Sequence, residues 1–162
     1  MKIGNRKLSK KDTFIIAEIG NNHNGDIDRA ITMIDLAIEM NVDCVKFQMR
    51  NLDEVYRKKT LKGDGEDLGT EYIIDLLHRF ELSQKNHRKI FNYCLDKKII
   101  YMCTPWDKKS VLILENFNVP AYKVSSADLT NISLINNLLK KNKPVILSTG
   151  MSDLNEIEFT AN

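Results

Sequence analysis

The chain has 162 residues, enough for one domain with a real hydrophobic core. Its 24 basic and 22 acidic side chains leave a formal charge of +2, too balanced to argue for nucleic acid or an anionic membrane, while still allowing a local cluster of cations for a small anion. Hydrophobic residues make up 43% and charged residues 28%, an ordinary soluble composition with no apolar run long enough to span a bilayer and no signal-peptide pattern.

Met1 to Thr13 is short, basic and polar. Ile3-Gly4-Asn5-Arg6 reads as a tight turn in a small hairpin ahead of the main fold, without functional content. Phe14 to Gly20 reads as the first strand, with Glu18 near its far end, followed by the polar turn Asn21-Asn22-His23-Asn24-Gly25. Asp26 is a good helix N-cap. Behind it Ile27, Ala30, Ile31, Ile34, Ala37 and Ile38 follow one helix face. Cys44 to Met49 is the second strand. Arg50 to Thr70 is long and polar and holds Gly63, Gly65 and Gly69, so it reads as a loop over a site.

Helical patterns run from Glu71 to Phe80 and from Ser83 to Lys97. The third strand is Ile99 to Thr104, closed by Pro105, and a helix follows from Asp107 to Phe117. Tyr122 to Ser126 is the fourth strand, Asn131 to Lys141 a helix, Val145 to Thr149 the fifth strand, and a last helix starts at Leu154. Each strand is a short, nearly continuous apolar run, as parallel strands covered on both faces require. Two α/β architectures fit: an open doubly wound sheet, or the first five units of an eightfold barrel.

The strand ends carry Glu18; Lys46 and Gln48; Thr104; Lys123, Ser125 and Ser126; and Ser148 and Thr149. An acid or a cation at the C-terminal end of a parallel strand is where such folds place chemistry. Alternation puts Lys46 and Gln48 on one side and Val45 and Phe47 on the other. Lysines inside strands need partners, and two of them beside several hydroxyls make a cradle for a phosphate and a carboxylate. Plainer readings stand beside this one. Glu18 is also a salt-bridge partner for Lys46 or Lys123, the lysines also serve as edge-strand charges, and the hydroxyls also cap helices. His23 reads as fixing its turn, and His78 and His87 as surface or boundary residues. Trp106 reads equally as pocket wall or core. Cys44, Cys94 and Cys103 lack metal-ligand spacing and read as reduced core residues of a cytoplasmic protein. No dinucleotide or P-loop glycine motif is present.

Five blocks go further: IIAEIGNNHNG at Ile15 to Gly25, VKFQ at Val45 to Gln48, CTPWD at Cys103 to Asp107, PAYKVSSAD at Pro120 to Asp128 and KPVILSTGM at Lys143 to Met151. In this order and spacing the chain resembles the sialic acid synthase family, including its bacterial legionaminic and pseudaminic acid relatives. The resemblance implies a (β/α)8 TIM-barrel type fold with about the first five βα units in residues 14–162, ending within the fifth helix. It implies condensation of phosphoenolpyruvate with an N-acetylated amino sugar of the N-acetylmannosamine type. A divalent ion, manganese or magnesium, would polarise the sugar aldehyde, and its ligands are expected from later strands than any here. By resemblance, Lys46, Thr104, Lys123, Ser126 and Ser148 hold phosphoenolpyruvate, Gln48 and Asp128 face the amino sugar, and Glu18 is a general acid or base. The family often has Glu where Asp128 stands, so the reach toward the sugar is shorter here. The full-length protein is expected to be a homodimer without nucleic-acid or membrane partners, and the 162 residues alone to be inactive. A Schiff-base aldolase of the same fold and a non-catalytic ligand-binding module are the alternatives.

Overall fold

The computed structural model describes residues 2–55 and 70–162, with residues 70–73 described by backbone alone. The elements in chain order are β1 (Lys2–Ile3), β2 (Arg6–Lys7), β3 (Ile16–Gly20), α1 (Ile27–Glu39), β4 (Cys44–Met49) and α2 (Leu52–Val55). They continue with α3 (Thr70–Phe80), α4 (Gln84–Asp96), β5 (Ile100–Pro105), α5 (Lys108–Phe117) and β6 (Tyr122–Val124). A 3-10 turn (Ser126–Asp128), α6 (Ile132–Leu139), β7 (Val145–Leu147) and α7 (Leu154–Ala161) complete the described chain.

The expected helix starts are capping residues, half outside the helices they begin. Asp26, Ser83, Asp107 and Asn131 each accept a backbone N–H of the first turn, and so does Asp153, just ahead of the start expected and found at Leu154. Helices α1, α4, α5 and α6 are each followed within three residues by a left-handed residue, in turn Asn41, Lys98, Asn118 and Asn142. Each such turn reverses the chain toward the next strand, and Asn serves in three of them because its short polar side chain tolerates that region. Strand four is shorter than its apolar run suggests. Past Val124 the backbone coils into the 3-10 turn, where the Ser125 hydroxyl donates to Asp128. The loop expected from Arg50 to Thr70 begins with the helical turn α2, and its residues 56–69 lie outside the described residues.

Strands β3, β4 and β5 form a parallel ladder in that spatial order, and β6 and β7 form a second parallel ladder. β6 packs beside β5, so the strands follow one another in space as they do in sequence, without the reversal that a doubly wound sheet makes at its switch point. Along β4, β5 and the stretch through β6, side chains of opposite parity are buried on opposite faces. Val45, Phe47, Tyr101, Cys103, Tyr122 and Val124 pack against the helices in the larger core. Cys44, Ile100, Met102 and Ala121 face the other way and meet Ile3 of the N-terminal hairpin. Ile3 is fully buried, so β1 and β2 close the apolar base of that second face.

The loop after β3 is also fixed by packing. Gly25 has φ +78°, and a Cβ there would lie 2.3 Å from the Arg79 carbonyl oxygen. Gly25→Ala therefore combines a left-handed conformation with a backbone clash, and is expected to lower the unfolding free energy by about 2 kcal/mol or more. Gly150, with nothing within 4 Å, is the control, expected within about 0.5 kcal/mol of the parent. Urea denaturation of both variants measures this, and equal losses would contradict the assignment.

Candidate active site

Toward the C-terminal ends of the strands, the inner face changes from apolar to polar. Glu18, Lys46, Gln48, Thr104, Lys123, Ser126 and Ser148 line one open cavity of about 210 Å³. Trp106 and Ser125 complete its wall. Of the strand-end residues and the substrate contacts implied by resemblance, Asp128 and Thr149 are not among those lining it. The Asp128 carboxylate accepts from the Ser125 hydroxyl at 3.0 Å and from the Asn131 amide at 3.1 Å, which ties it into the 3-10 turn. A larger hollow of about 290 Å³ lies beside the N-terminal hairpin, but its lining offers one cation, Lys98, and no carboxylate. Converging polar groups mark the smaller cavity as the chemical one.

Lys46 sits on the central strand of its ladder and is 5% exposed, so it is no edge-strand charge. Its ammonium lies 2.8 Å from the Glu18 carboxylate and donates to the Thr104 hydroxyl at 3.1 Å. The ladder register sets this up, because Glu18 stands opposite Lys46. Thr104 is on the same side, one step nearer the strand end. The salt-bridge reading of Glu18 thus holds, yet its side chain stays 59% exposed and is the more accessible partner. Lys123 donates to the Ser148 hydroxyl and to the Val124 carbonyl, both at 2.5 Å. Burial and then the neighbouring Lys46 charge pull the Lys123 ammonium below its usual range, with Glu18 opposing. Two ammonium groups and one carboxylate facing one cavity make it a cation-rich site for an anion.

Behind the cavity lies an aromatic stack that sequence reasoning placed only in part. Phe47 stacks with His23 at 5.9 Å and with Tyr101 at 5.6 Å between ring centroids, and His87 meets it edge-on at 6.3 Å. His23 Nδ1 accepts the Gly25 N–H at 3.0 Å, the turn-fixing role expected of it. His87 is a correction: it is 2% exposed, not a surface or boundary residue. The signal was its spacing of three, four and seven from the buried Ile90, Phe91 and Cys94 on α4. Trp106 proves to be cavity wall, and the Arg50 guanidinium lies 5.0 Å from its ring centroid. Arg50 was hidden in the stretch read as loop. The three cysteines are free and buried, and burial pushes the Cys94 and Cys103 thiols up to about 12.

A profile of the NeuB family matches residues 33–162. The chain belongs to that family. It is 35% identical to the N,N'-diacetyllegionaminic acid synthase of Campylobacter jejuni, over 94% of this chain and 46% of that protein. It is 34% identical to the human N-acetylneuraminate-9-phosphate synthase, over 90% of this chain and 41% of that protein. Among solved structures, the N-acetylneuraminic acid synthetase of Leptospira borgpetersenii in complex with citrate superposes with a TM-score of 0.85 at 30% identity. That match covers 99% of this chain and 53% of the other. The chain thus spans less than half the length of these curated relatives.

Among the described residues, no group of three or more His, Cys, Asp or Glu side chains is arranged to hold a metal ion, so these residues do not themselves fit the divalent ion that the resemblance implies. No helix among the described residues is long and apolar enough to cross a membrane.

The buried histidines give a pH test. Burial, and then the charge of His23, hold His87 at about 3 against an ordinary 6.5. The unfolded chain therefore takes up a proton first as pH falls. Stability is complete above about pH 6.5 and declines toward pH 3, by at most about 1.4 kcal/mol per pH unit for this group. His87→Gln is expected to flatten that acid limb in denaturation curves between pH 6 and 4. Parallel limbs for parent and variant would contradict the assignment.

Proposed function

We propose that the whole protein to which this chain belongs condenses phosphoenolpyruvate with an N-acetylated amino sugar, giving a sialic or related nonulosonic acid and phosphate. The observation that carries this reading is the convergence of Lys46 and Lys123 with the hydroxyls of Thr104, Ser126 and Ser148 on one cavity. The names of the relatives support it. C3 of phosphoenolpyruvate attacks the open-chain sugar aldehyde, water adds at C2, and phosphate leaves with cleavage of its C–O bond. The two ammonium groups and the hydroxyls bind the phosphate and carboxylate of phosphoenolpyruvate, and hold them as charge shifts toward the leaving phosphate. Bound anion also relieves the repulsion between Lys46 and Lys123.

Glu18 is the proposed general acid or base, on the exposed side of its ion pair with Lys46. Gln48 is the proposed contact to the amino sugar. Asp128 is a proposed second contact, its two oxygens each able to accept one further hydrogen bond besides those from Ser125 and Asn131. We read β3 to β7 as the first five strands of a (β/α)8 barrel, a reading supported by their sequential parallel order. The hairpin of residues 1–13 is its N-terminal extension. The divalent ion expected of the whole protein would need ligands from outside the described residues. Homodimerisation and a cytoplasmic location belong to the same proposal.

One observation favours a second reading. A lysine whose ammonium is destabilised by burial and a second cation is a suitable Schiff-base nucleophile, and Lys123 meets both conditions. The whole protein, supplied with phosphoenolpyruvate, N-acetylmannosamine and manganese, is expected to release phosphate in step with a nonulosonic acid. Borohydride is expected to trap no substrate on lysine. Lys46→Met is expected to lower kcat/KM by about 100-fold or more. A borohydride adduct on Lys123 without phosphate release would replace this reading with the aldolase.

A further inference from the structure

Gln48 is the wall between two spaces. One is the cavity with Lys46 and Lys123; the other is a small polar hollow lined by Asn21, His23, Arg50 and Glu81. Arg50 follows Gln48 by two residues and stands immediately after β4. The Arg50 guanidinium donates to the Gln48 side-chain oxygen. A guanidinium has donors and no acceptor, so the atom it faces must be the amide oxygen and not the nitrogen. The Gln48 NH2 is then turned the other way, over Gly20, where an added Cβ would stand 3.5 Å from the nitrogen.

Among the described residues, Glu81 and Trp106 also flank Arg50. Its Nε lies 3.8 Å from the Glu81 carboxylate, and its plane lies 5.0 Å from the Trp106 ring centroid. The Trp106 backbone N–H donates to the Met49 carbonyl at 3.0 Å, which holds the Trp106 backbone beside the residue that precedes Arg50. The Arg50 side chain is 8% exposed. Burial raises the Glu81 carboxyl to about 7, with Arg50 pulling it down and Asp107 pushing it up. Among the described residues, three segments therefore meet at this guanidinium: the residue after β4, the turn into α5 and the connection from α3 to α4.

We propose that Arg50 is a positioning residue for Gln48, fixing its amide as a pure donor to the cavity, so that the acceptor sugar is read there through an oxygen that accepts a hydrogen bond. This rests on the condensation reading above. A lysine at position 50 cannot replace the fork, because an ammonium is a point charge on a flexible stem and does not both stack on Trp106 and reach the amide and Glu81. A glutamate at position 48 keeps a partner for Arg50 but turns an acceptor toward the sugar, so the donor is lost without loss of the clamp.

The test uses the whole protein and the variants Arg50→Lys and Gln48→Glu. Crystal structures are expected to show the Gln48 amide turned away from its parent orientation in Arg50→Lys. In Gln48→Glu the contact to Arg50 is expected to remain. In steady-state kinetics both variants are expected to raise KM for the amino sugar by about tenfold or more, with KM for phosphoenolpyruvate within about twofold of the parent. An unchanged Gln48 orientation in Arg50→Lys overturns the proposal, and so does an equal rise of both KM values. A parent protein without synthase activity counts against the condensation reading, and the Arg50→Lys structure then decides the positioning role alone.

Discussion

The buried ammonium of Lys46 is the constraint around which the strand ends are arranged. A lysine on a central strand, 5% exposed, is tolerated only if its charge is answered. Glu18 answers it across the β3–β4 ladder, and Thr104 answers it across the β4–β5 ladder. Both partners depend on register. A slip of one residue in either ladder would turn Lys46 into the apolar layer beneath the helices and bring Val45 or Phe47 into the cavity. The geometry of the site and the correctness of the fold are therefore the same requirement.

This requirement explains the division of the inner face. Near the N-terminal ends of the strands it is apolar, with Ile3 of the hairpin seated against Cys44, Ile100, Met102 and Ala121. Toward the other ends it carries the two ammonium groups and the hydroxyls. The hairpin closes the apolar base, so the polar end is the one left open to solvent. On the opposite face of the strands, Phe47 between His23 and Tyr101 anchors the loop after β3 and the helix α4 to β4. Neutral buried histidines suit that role, since burial lowers the pKa of both.

Much of this was legible in the sequence because it rests on short-range rules. Period-two alternation put Lys46 and Gln48 on one side of their strand, capping chemistry marked Asp26, and apolar periodicity started helices at Ser83, Asp107 and Asn131. What escaped had more than one cause. Arg50 lies in a stretch whose polarity read as loop, and only folding brings Glu81 and Trp106 to it. His87 looked like a helix surface residue because histidine is ambiguous by type, although its spacing from Ile90, Phe91 and Cys94 carried the answer. The carboxylate of Asp128, named as a sugar contact by resemblance, also accepts from Ser125 and Asn131 in the turn after β6, a local pairing that its spacing did not single out. Strand four ended early for the same reason: a hydroxyl and a carboxylate three residues apart favour a tight turn over extension.

The most direct test of the cation-rich cradle is calorimetric titration of the protein with phosphoenolpyruvate, beside Lys46→Ala and Lys123→Ala. The account predicts binding by the parent and at least about a tenfold loss with either substitution, with circular dichroism unchanged. Undiminished binding by both folded variants would contradict it, because the anion would then be held somewhere other than between these two ammonium groups.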